Sequence, residues 1–212
     1  MGRKAILFDL DGTLWDSSAE VVEAWDRCIE ERTDRPERFT VADMRGFMGK
    51  TMEAIAAEMF PSLPAEEQLR IILMCEEYEQ EYLKTHRPRF FENEEALLRE
   101  LGKEYFLGVV SNCQAGYIEL FLGHSGFADV FSDHECAGAT GLSKGENIRL
   151  VMERNGIDEC IYVGDTRGDE LASQEAGVKF VHAAYGFGKA ETPDAVINDL
   201  ADLNPTAQKL FK

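Results

Sequence analysis

The chain has 212 residues, 44% of them hydrophobic, and carries 40 acidic against 22 basic side chains, a formal net charge of −18. That length supports one good core, or a core plus a small second module, and no stretch approaches the ~18 uninterrupted apolar residues of a membrane span. The acidity argues against nucleic acid as a partner, which needs clustered Lys and Arg, but a small anionic substrate stays open because a metal ion and one or two local lysines can dominate the field at a site.

Arg3 and Lys4 lead straight into an apolar run with no signal-peptide core, so no leader is expected. Residues 5–8 (AILF) are short, apolar and stopped by a turn signal, which predicts a buried strand. From 17 to about 87 the sequence is helical in character. SSAEVVEAWDRCIEERT has apolar residues at a helical period, with Ser17 or Ser18 as the cap. TVADMRGFMG and KTMEAIAAEMF follow, then Pro61 and Pro64 punctuate before a long helix, AEEQLRIILMCEEYEQEYLKTH. After Pro88 the pattern alternates. Strands are expected in YFLGVVSN, FADVFSDHECAG, CIYVGD and KFVHAAYG, and helices in EEALLRELGK, QAGYIELFLGHSG, KGENIRLVMERNG and DELASQEAG. Alternation of this kind predicts an α/β fold, a Rossmann-like parallel sheet with helices on both faces and the binding crevice at the carboxyl ends of the strands. The expected organisation is a core from residues 1–15 and 86–212, interrupted by an inserted α-helical cap at 16–85.

Five cysteines (Cys28, Cys75, Cys113, Cys136, Cys160) are scattered, odd in number and without a C-x-x-C pair, so neither zinc nor a disulfide framework is expected. They suit a reducing compartment, with the cytoplasm as the expected location. None of the four histidines lies in a motif.

The chemistry concentrates in four places. The first is Asp9-Leu10-Asp11-Gly12-Thr13-Leu14. A strand alternates its side chains, so Asp9 and Asp11 start on one face, and Gly12 permits a sharp turn. Two carboxylates at a strand end are costly unless a cation or proton occupies them. A calcium loop would need a Glu at its twelfth position and oxygen ligands between; Glu20 is there, but Thr13 and Trp15 leave only a fragment. The second is Ser111 with Asn112, at a strand end where a hydroxyl and backbone amides can hold an oxyanion, although such residues also simply start turns. The third is Lys144, which opposes a helix dipole unless it faces an anion. The fourth is Asp165-Thr166-Arg167-Gly168-Asp169, two acids between a strand and a helix, where a turn residue and a helix cap are the plain alternatives.

In this order and after these strands, the motifs resemble those of the haloacid dehalogenase superfamily on its phosphatase branch, over nearly the whole chain. The resemblance implies that Asp9 attacks phosphorus to form an aspartyl-phosphate, that Asp11 protonates the leaving oxygen and then activates water, and that Mg2+ is held by Asp9, the Asp11 backbone carbonyl and Asp165, with Asp169 in support. Ser111, Asn112 and Lys144 would hold phosphoryl oxygens. A hard cation prefers oxygen ligands, and phosphoryl transfer is mainly positioning and charge neutralisation. Asp11 must be protonated for part of the cycle, so its surroundings should raise its pKa. Family members typically carry Pro after the lysine; here it is Gly145. An acid at position 11 favours phosphatase or phosphomutase over dehalogenase, and the helical insert looks like the cap of the phosphoglycolate phosphatase-like group.

Specificity is expected in that cap. The link Phe47-Met48-Gly49-Lys50-Thr51 resembles a specificity loop, with Lys50 and Arg45 as candidates for a second anionic group, or else solvated cations. Trp15 and Trp25 are expected to pack, Thr13 to fix the first loop by hydrogen bonding, and Tyr185-Gly186-Phe187-Gly188 to be a structural turn in contact with the cap. The expected activity is magnesium-dependent hydrolysis of a small phosphate monoester, phosphoglycolate- or sugar-phosphate-like, by a monomer or weak dimer that binds no membrane. A β-phosphoglucomutase-like phosphotransferase, a nucleotide phosphatase or pyrophosphatase, and a non-catalytic scaffold are the alternatives.

Overall fold

The structure is a computed structural model and describes residues 2–212. In chain order, β1 (Arg3–Phe8) and the two-residue β2 (Trp15–Asp16) lead into four helices, α1 (Ser18–Arg32), α2 (Val41–Phe47), α3 (Met52–Met59) and α4 (Ala65–Leu83). The chain returns through β3 (Arg89–Phe90), α5 (Glu94–Leu101), β4 (Phe106–Ser111), α6 (Tyr117–Ser125), β5 (Asp133–Cys136) and the single turn α7 (Ala137–Thr140). It closes with α8 (Lys144–Asn155), β6 (Ile157–Gly164), α9 (Arg167–Ala176), β7 (Lys179–Ala183), β8 (Ala195–Ile197) and α10 (Leu203–Leu210).

Six strands form one parallel sheet in the order β5-β4-β1-β6-β7-β8. β1 sits between β4 and β6, and Ala5, Ile6, Leu7 and Phe8 are fully buried. The period of two explains why the run is apolar throughout. Ile6 and Phe8 join one core with side chains of α5, α6 and α10, while Ala5 and Leu7 join another with Ile148 and Val151 of α8 and Ala172 of α9. Helices therefore cover both faces, as the alternating pattern predicts.

The four helices α1–α4 bury a third apolar cluster of their own, which includes Val21, Trp25, Ile29, Met44, Ile55 and Ile71. The two chain crossings between sheet and helices run side by side as an antiparallel ribbon, Trp15 opposite Phe90 and Asp16 opposite Arg89. Two-residue strands leave no periodic signal, and this ribbon was not expected from sequence. The same holds for three-residue β8 and for α10, which follow a segment without a clear pattern.

One capping expectation is corrected. Ser17 occupies the cap position of α1 but makes no side-chain cap bond; its Oγ donates to Asp11 instead, and Ser18 Oγ donates to Asp16. α8 and α9 do have complete capping boxes, Ser143 with Glu146 and Thr166 with Asp169. No helix among the described residues is long and apolar enough to cross a membrane.

Candidate active site

Parallel pairing of β1 with β6 sets Phe8 opposite Val163, and the Asp9 backbone N–H donates to Val163 O at 2.8 Å. The residues that leave these two strands, Asp9 and Asp165, therefore emerge together at the carboxyl edge. Asp169, in the first turn of α9, joins them: one carboxylate oxygen from each of the three lies within 4.8 Å of the others, and all three residues are buried. Lys144 opens α8 and is buried, with Nζ 2.8 Å from Asp9 Oδ1 and 2.6 Å from Asp169 Oδ1. Its unfavourable place at a helix N-terminus is offset by these two anions.

The electrostatics follow from burial. Desolvation and the Asp169 charge push Asp9 up to about 7 despite the pull of Lys144. Asp165 is raised well above the carboxylate range by burial and by Asp169 and Asp9. Burial would depress Lys144, but Asp169 and Asp9 hold it well above its ordinary value. Three carboxylates share one ammonium, so the cluster favours a further cation.

The donor set fits a hard divalent ion. Asp165 Oδ2 accepts from the backbone N–H groups of Phe187 at 2.6 Å and Gly188 at 3.2 Å, while its buried Oδ1 has no partner. An oriented carboxylate with one unpartnered oxygen beside two others is suited to a metal that prefers oxygen. Asp169 is more committed: Oδ1 takes Lys144, and Oδ2 takes the Thr166 backbone N–H and hydroxyl. Gly12 is required beside this cluster. Its φ is +81°, and a Cβ there would sit 2.6 Å from Asp165 Oδ2.

The Asp11 side chain is not part of the acid cluster. Its Oδ1 accepts three hydrogen bonds, from Ser17 Oγ at 2.6 Å, Trp15 Nε1 at 2.9 Å and the Tyr117 hydroxyl at 3.0 Å. Burial raises its pKa against the pull of these donors. Crowding three donors on one oxygen leaves Oδ2 as the oxygen for a proton.

Ser111 ends β4 and, with Asn112 and Asp11, lines a narrow, partly open pocket of about 40 Å³ beneath α1–α4. That is room for a few waters, not for a substrate. The Asn112 amide donates to Gly49 O at 3.0 Å, so this expected phosphate-binding residue here ties β4 to the loop between α2 and α3. Of the two candidate cap residues, Lys50 lines the cavity with its ammonium on Glu58, at 2.8 and 2.7 Å. Arg45 lies elsewhere, bonded to Asp16 Oδ2 at 2.6 Å and resting 5.2 Å over the Phe187 ring.

Several residues were not singled out from sequence. Tyr117 anchors Asp11 from 106 positions away. Glu79 of α4 is buried against the cavity, where it accepts from Trp25 Nε1 and from Gln114 Nε2 at 3.1 Å. Burial pushes its carboxyl up to about 8. An acid on the apolar face of a helical pattern was the available signal.

Other expectations have definite outcomes. The Thr13 hydroxyl is buried without a hydrogen-bond partner, contrary to its expected role; the loop is held instead by Tyr185, whose hydroxyl donates to Thr13 O at 2.9 Å. The Gly-rich turn is structural, since it presents the two N–H groups to Asp165, and Phe187 meets Arg45 of α2. Trp15 packs in the sheet core and Trp25 among the helices, where it also lines the cavity. All five cysteines are buried and free. Burial raises the Cys113 thiol, which disfavours the reactive thiolate. Gly145 leaves room for Glu175: a Cβ there would meet Glu175 Oε2 at 2.5 Å, and Glu175 bonds Ser143 Oγ at 2.8 Å.

A parallel sheet with an acid-and-lysine cluster at its carboxyl edge defines an α/β protein whose binding crevice lies at that edge. The sequence matches the model of the haloacid dehalogenase-like hydrolase family over residues 6–183, and the chain belongs to that family. It is 28% identical over 200 residues to a phosphoglycolate phosphatase of Xanthomonas campestris, covering 87% of this chain and 84% of that protein. It is 29% identical over 212 residues to the pyrophosphatase PpaX of Bacillus velezensis, covering 94% of each. Among solved structures, a haloacid dehalogenase-like family hydrolase from Streptococcus pneumoniae superposes with a TM-score of 0.82 at 22% identity, covering 97% of this chain and 99% of that one.

Proposed function

We propose that this haloacid dehalogenase-like phosphatase is a magnesium-dependent phosphomonoesterase that works through an aspartyl-phosphate on Asp9. The observation that carries the reading is the pairing of two differently prepared acids. Asp9 is held by Lys144 in the acid cluster, and Asp11 is turned away with one oxygen free for a proton.

Asp9, Asp165 and the Asp11 backbone carbonyl would hold Mg2+, with Asp169 orienting Lys144 and the rim of the site. The ion supplies charge neutralisation for the phosphoryl oxygens. The free oxygen of Asp9 forms the new bond to phosphorus while the ester P–O bond breaks, and Asp11 gives its proton to the departing oxygen. Asp11, now a carboxylate, takes a proton from the incoming water, whose oxygen attacks phosphorus as the Asp9–phosphorus bond breaks. Lys144, the Ser111 hydroxyl and Asn112 bind phosphoryl oxygens; the Asn112 amide has a second N–H for this beside the one given to Gly49 O.

We take residues 1–15 and 86–212 as the catalytic core and 16–85 as a cap. The small volume of the pocket, about 40 Å³, supports a cap that must move to admit substrate. The substrate is a small phosphorylated metabolite. Free buried cysteines suit the cytoplasm, and the protein is read as a monomer or weak dimer.

The test is phosphate release from a panel of esters and pyrophosphate, with magnesium or chelator, by wild type and Asp9→Asn. Magnesium-dependent release that the substitution removes supports the reading. Full turnover by Asp9→Asn would falsify the mechanism. Isomerisation of a sugar phosphate without net release would replace the hydrolase by a mutase, and release from pyrophosphate alone would make it a pyrophosphatase.

A further inference from the structure

The phosphoryl end of the ester accounts for the acid cluster, but not for the wall opposite. That wall is formed by α1–α4 and is apolar: Val21, Trp25, Met44, Phe47, Met48 and Ile55 all line the cavity over Asp11. Set into it is one acid, Glu79, only 3% exposed. We propose that the leaving group is an uncharged alcohol, and that Glu79 is the specificity residue that turns carboxylate-bearing alcohols away; the proposal rests on the phosphomonoesterase reading.

Charge decides it. Lys50 is the one basic residue in the cavity lining, and its ammonium is on both Glu58 oxygens, which a substrate carboxylate would have to displace. A second anionic group brought against this wall would lose its hydration, find no free cation and face an acid. An uncharged alcohol would replace water with carbon contacts on six side chains. Each Glu79 oxygen accepts one protein hydrogen bond, from Trp25 or Gln114, and keeps a lone pair for a hydroxyl on the substrate. The specificity device is repulsive as much as attractive.

The neighbouring surface is consistent in character. A larger cavity of about 490 Å³ shares Met52, Asn112, Cys113 and Gln114 with the first and is rimmed by the exposed side chains Leu69, Leu73 and Leu142. It also carries the acids Glu53 and Glu76 and no basic side chain, so a carboxylate finds no cation there either.

The experiment compares kcat/KM for two esters of similar size, 2-hydroxyethyl phosphate and phosphoglycolate, which differ in a hydroxymethyl against a carboxylate. It is run from about pH 6 to about pH 9, on either side of the value of about 8 to which burial lifts Glu79, and the discrimination is expected to grow as that charge appears. Wild type is expected to favour 2-hydroxyethyl phosphate by about tenfold or more. Glu79→Gln keeps an oxygen for Trp25 and is expected to bring the ratio to within about threefold, mainly through KM for phosphoglycolate. Met48→Lys adds a cation to the wall without touching Glu79 and is expected to raise kcat/KM for phosphoglycolate alone. A wild type that prefers phosphoglycolate, or a ratio unmoved by both substitutions, overturns the proposal and leaves the phosphomonoesterase intact. No phosphate release from any ester overturns that reading, and the proposal with it.

Discussion

The two walls of the cleft are built on opposite physical terms. The edge of the sheet concentrates charge: three buried carboxylates and one buried ammonium within hydrogen-bonding or metal-bridging reach. The face of α1–α4 concentrates carbon, with a single buried acid. The charged wall is held by adjacent strands in register and by capped helix starts, so its geometry is rigid. The apolar wall belongs to helices with their own core and meets the sheet across a two-residue ribbon and a few hydrogen bonds, such as Asn112 to Gly49 and Gln114 to Glu79. Chemistry that must be exact in position sits on the first, and selection that must open and close sits on the second.

Breaking the charged wall should have the largest effect. Asp11→Asn keeps the size of the side chain and removes the transferable proton, so kcat should fall by about 10²–10⁴ in steady-state phosphate release. An unchanged kcat would take the general acid away from Asp11. Lys144→Met removes the only ammonium in the cluster. We expect kcat/KM to fall by about 10²–10³, and magnesium to be retained in calorimetric titration because the three carboxylates remain.

A buried acid outside both walls shows what burial costs without such partners. Glu94 is 2% exposed, and neither side-chain oxygen has a hydrogen-bond partner. Burial pushes its pKa up to about 8. Because the folded value lies above the unfolded one, near 4.5, folding carries no penalty from this group at low pH. The penalty grows as pH rises from about 4.5 and levels off beyond about 8. Glu94→Leu should therefore stabilise the protein by about 1–3 kcal/mol at pH 8 and by much less at pH 4 in urea melts; equal effects at both would contradict the burial argument.

Glu170 is the opposite case and the smallest expected effect. Burial would raise it, but donors from Thr192, the Glu191 backbone and Arg167 draw it down to about 2. The folded value lies below the unfolded one, so its contribution is present above about 4.5 and is lost as pH falls towards 2. Glu170→Gln should lower Tm by a few degrees at pH 7, with the difference shrinking as the pH falls below about 4.

The legible parts of this protein are those in which neighbours in sequence are also neighbours in space. Alternating apolar runs gave away a parallel sheet covered on both faces, because a buried strand needs carbon on each side. Asp9 and Asp11, or Asp165 and Asp169, stand out because two acids within five residues at a strand end demand a partner. Helical periodicity located α1–α4 without showing what they cover. Where the contacts are distant, the sequence was silent or misleading. Ser17 reads as a helix cap but serves Asp11; Tyr117 reads as a helix residue but holds the same oxygen; Arg45, read as a substrate cation or a solvated one, pairs with Asp16.

What the sequence by itself determined was the α/β class, the family resemblance and the identity of the acids and lysine, since these follow from local pattern and from residue types whose burial demands explanation. Tertiary structure alone decided that Asp11 leaves the cluster Asp9 joins, that a backbone turn aims Asp165, and that Glu79 is the one acid the helices bring to the cavity. The physical reason is that hydrogen bonds, ion pairs and desolvation depend on distance in space, and a fold sets that distance with little regard to separation along the chain.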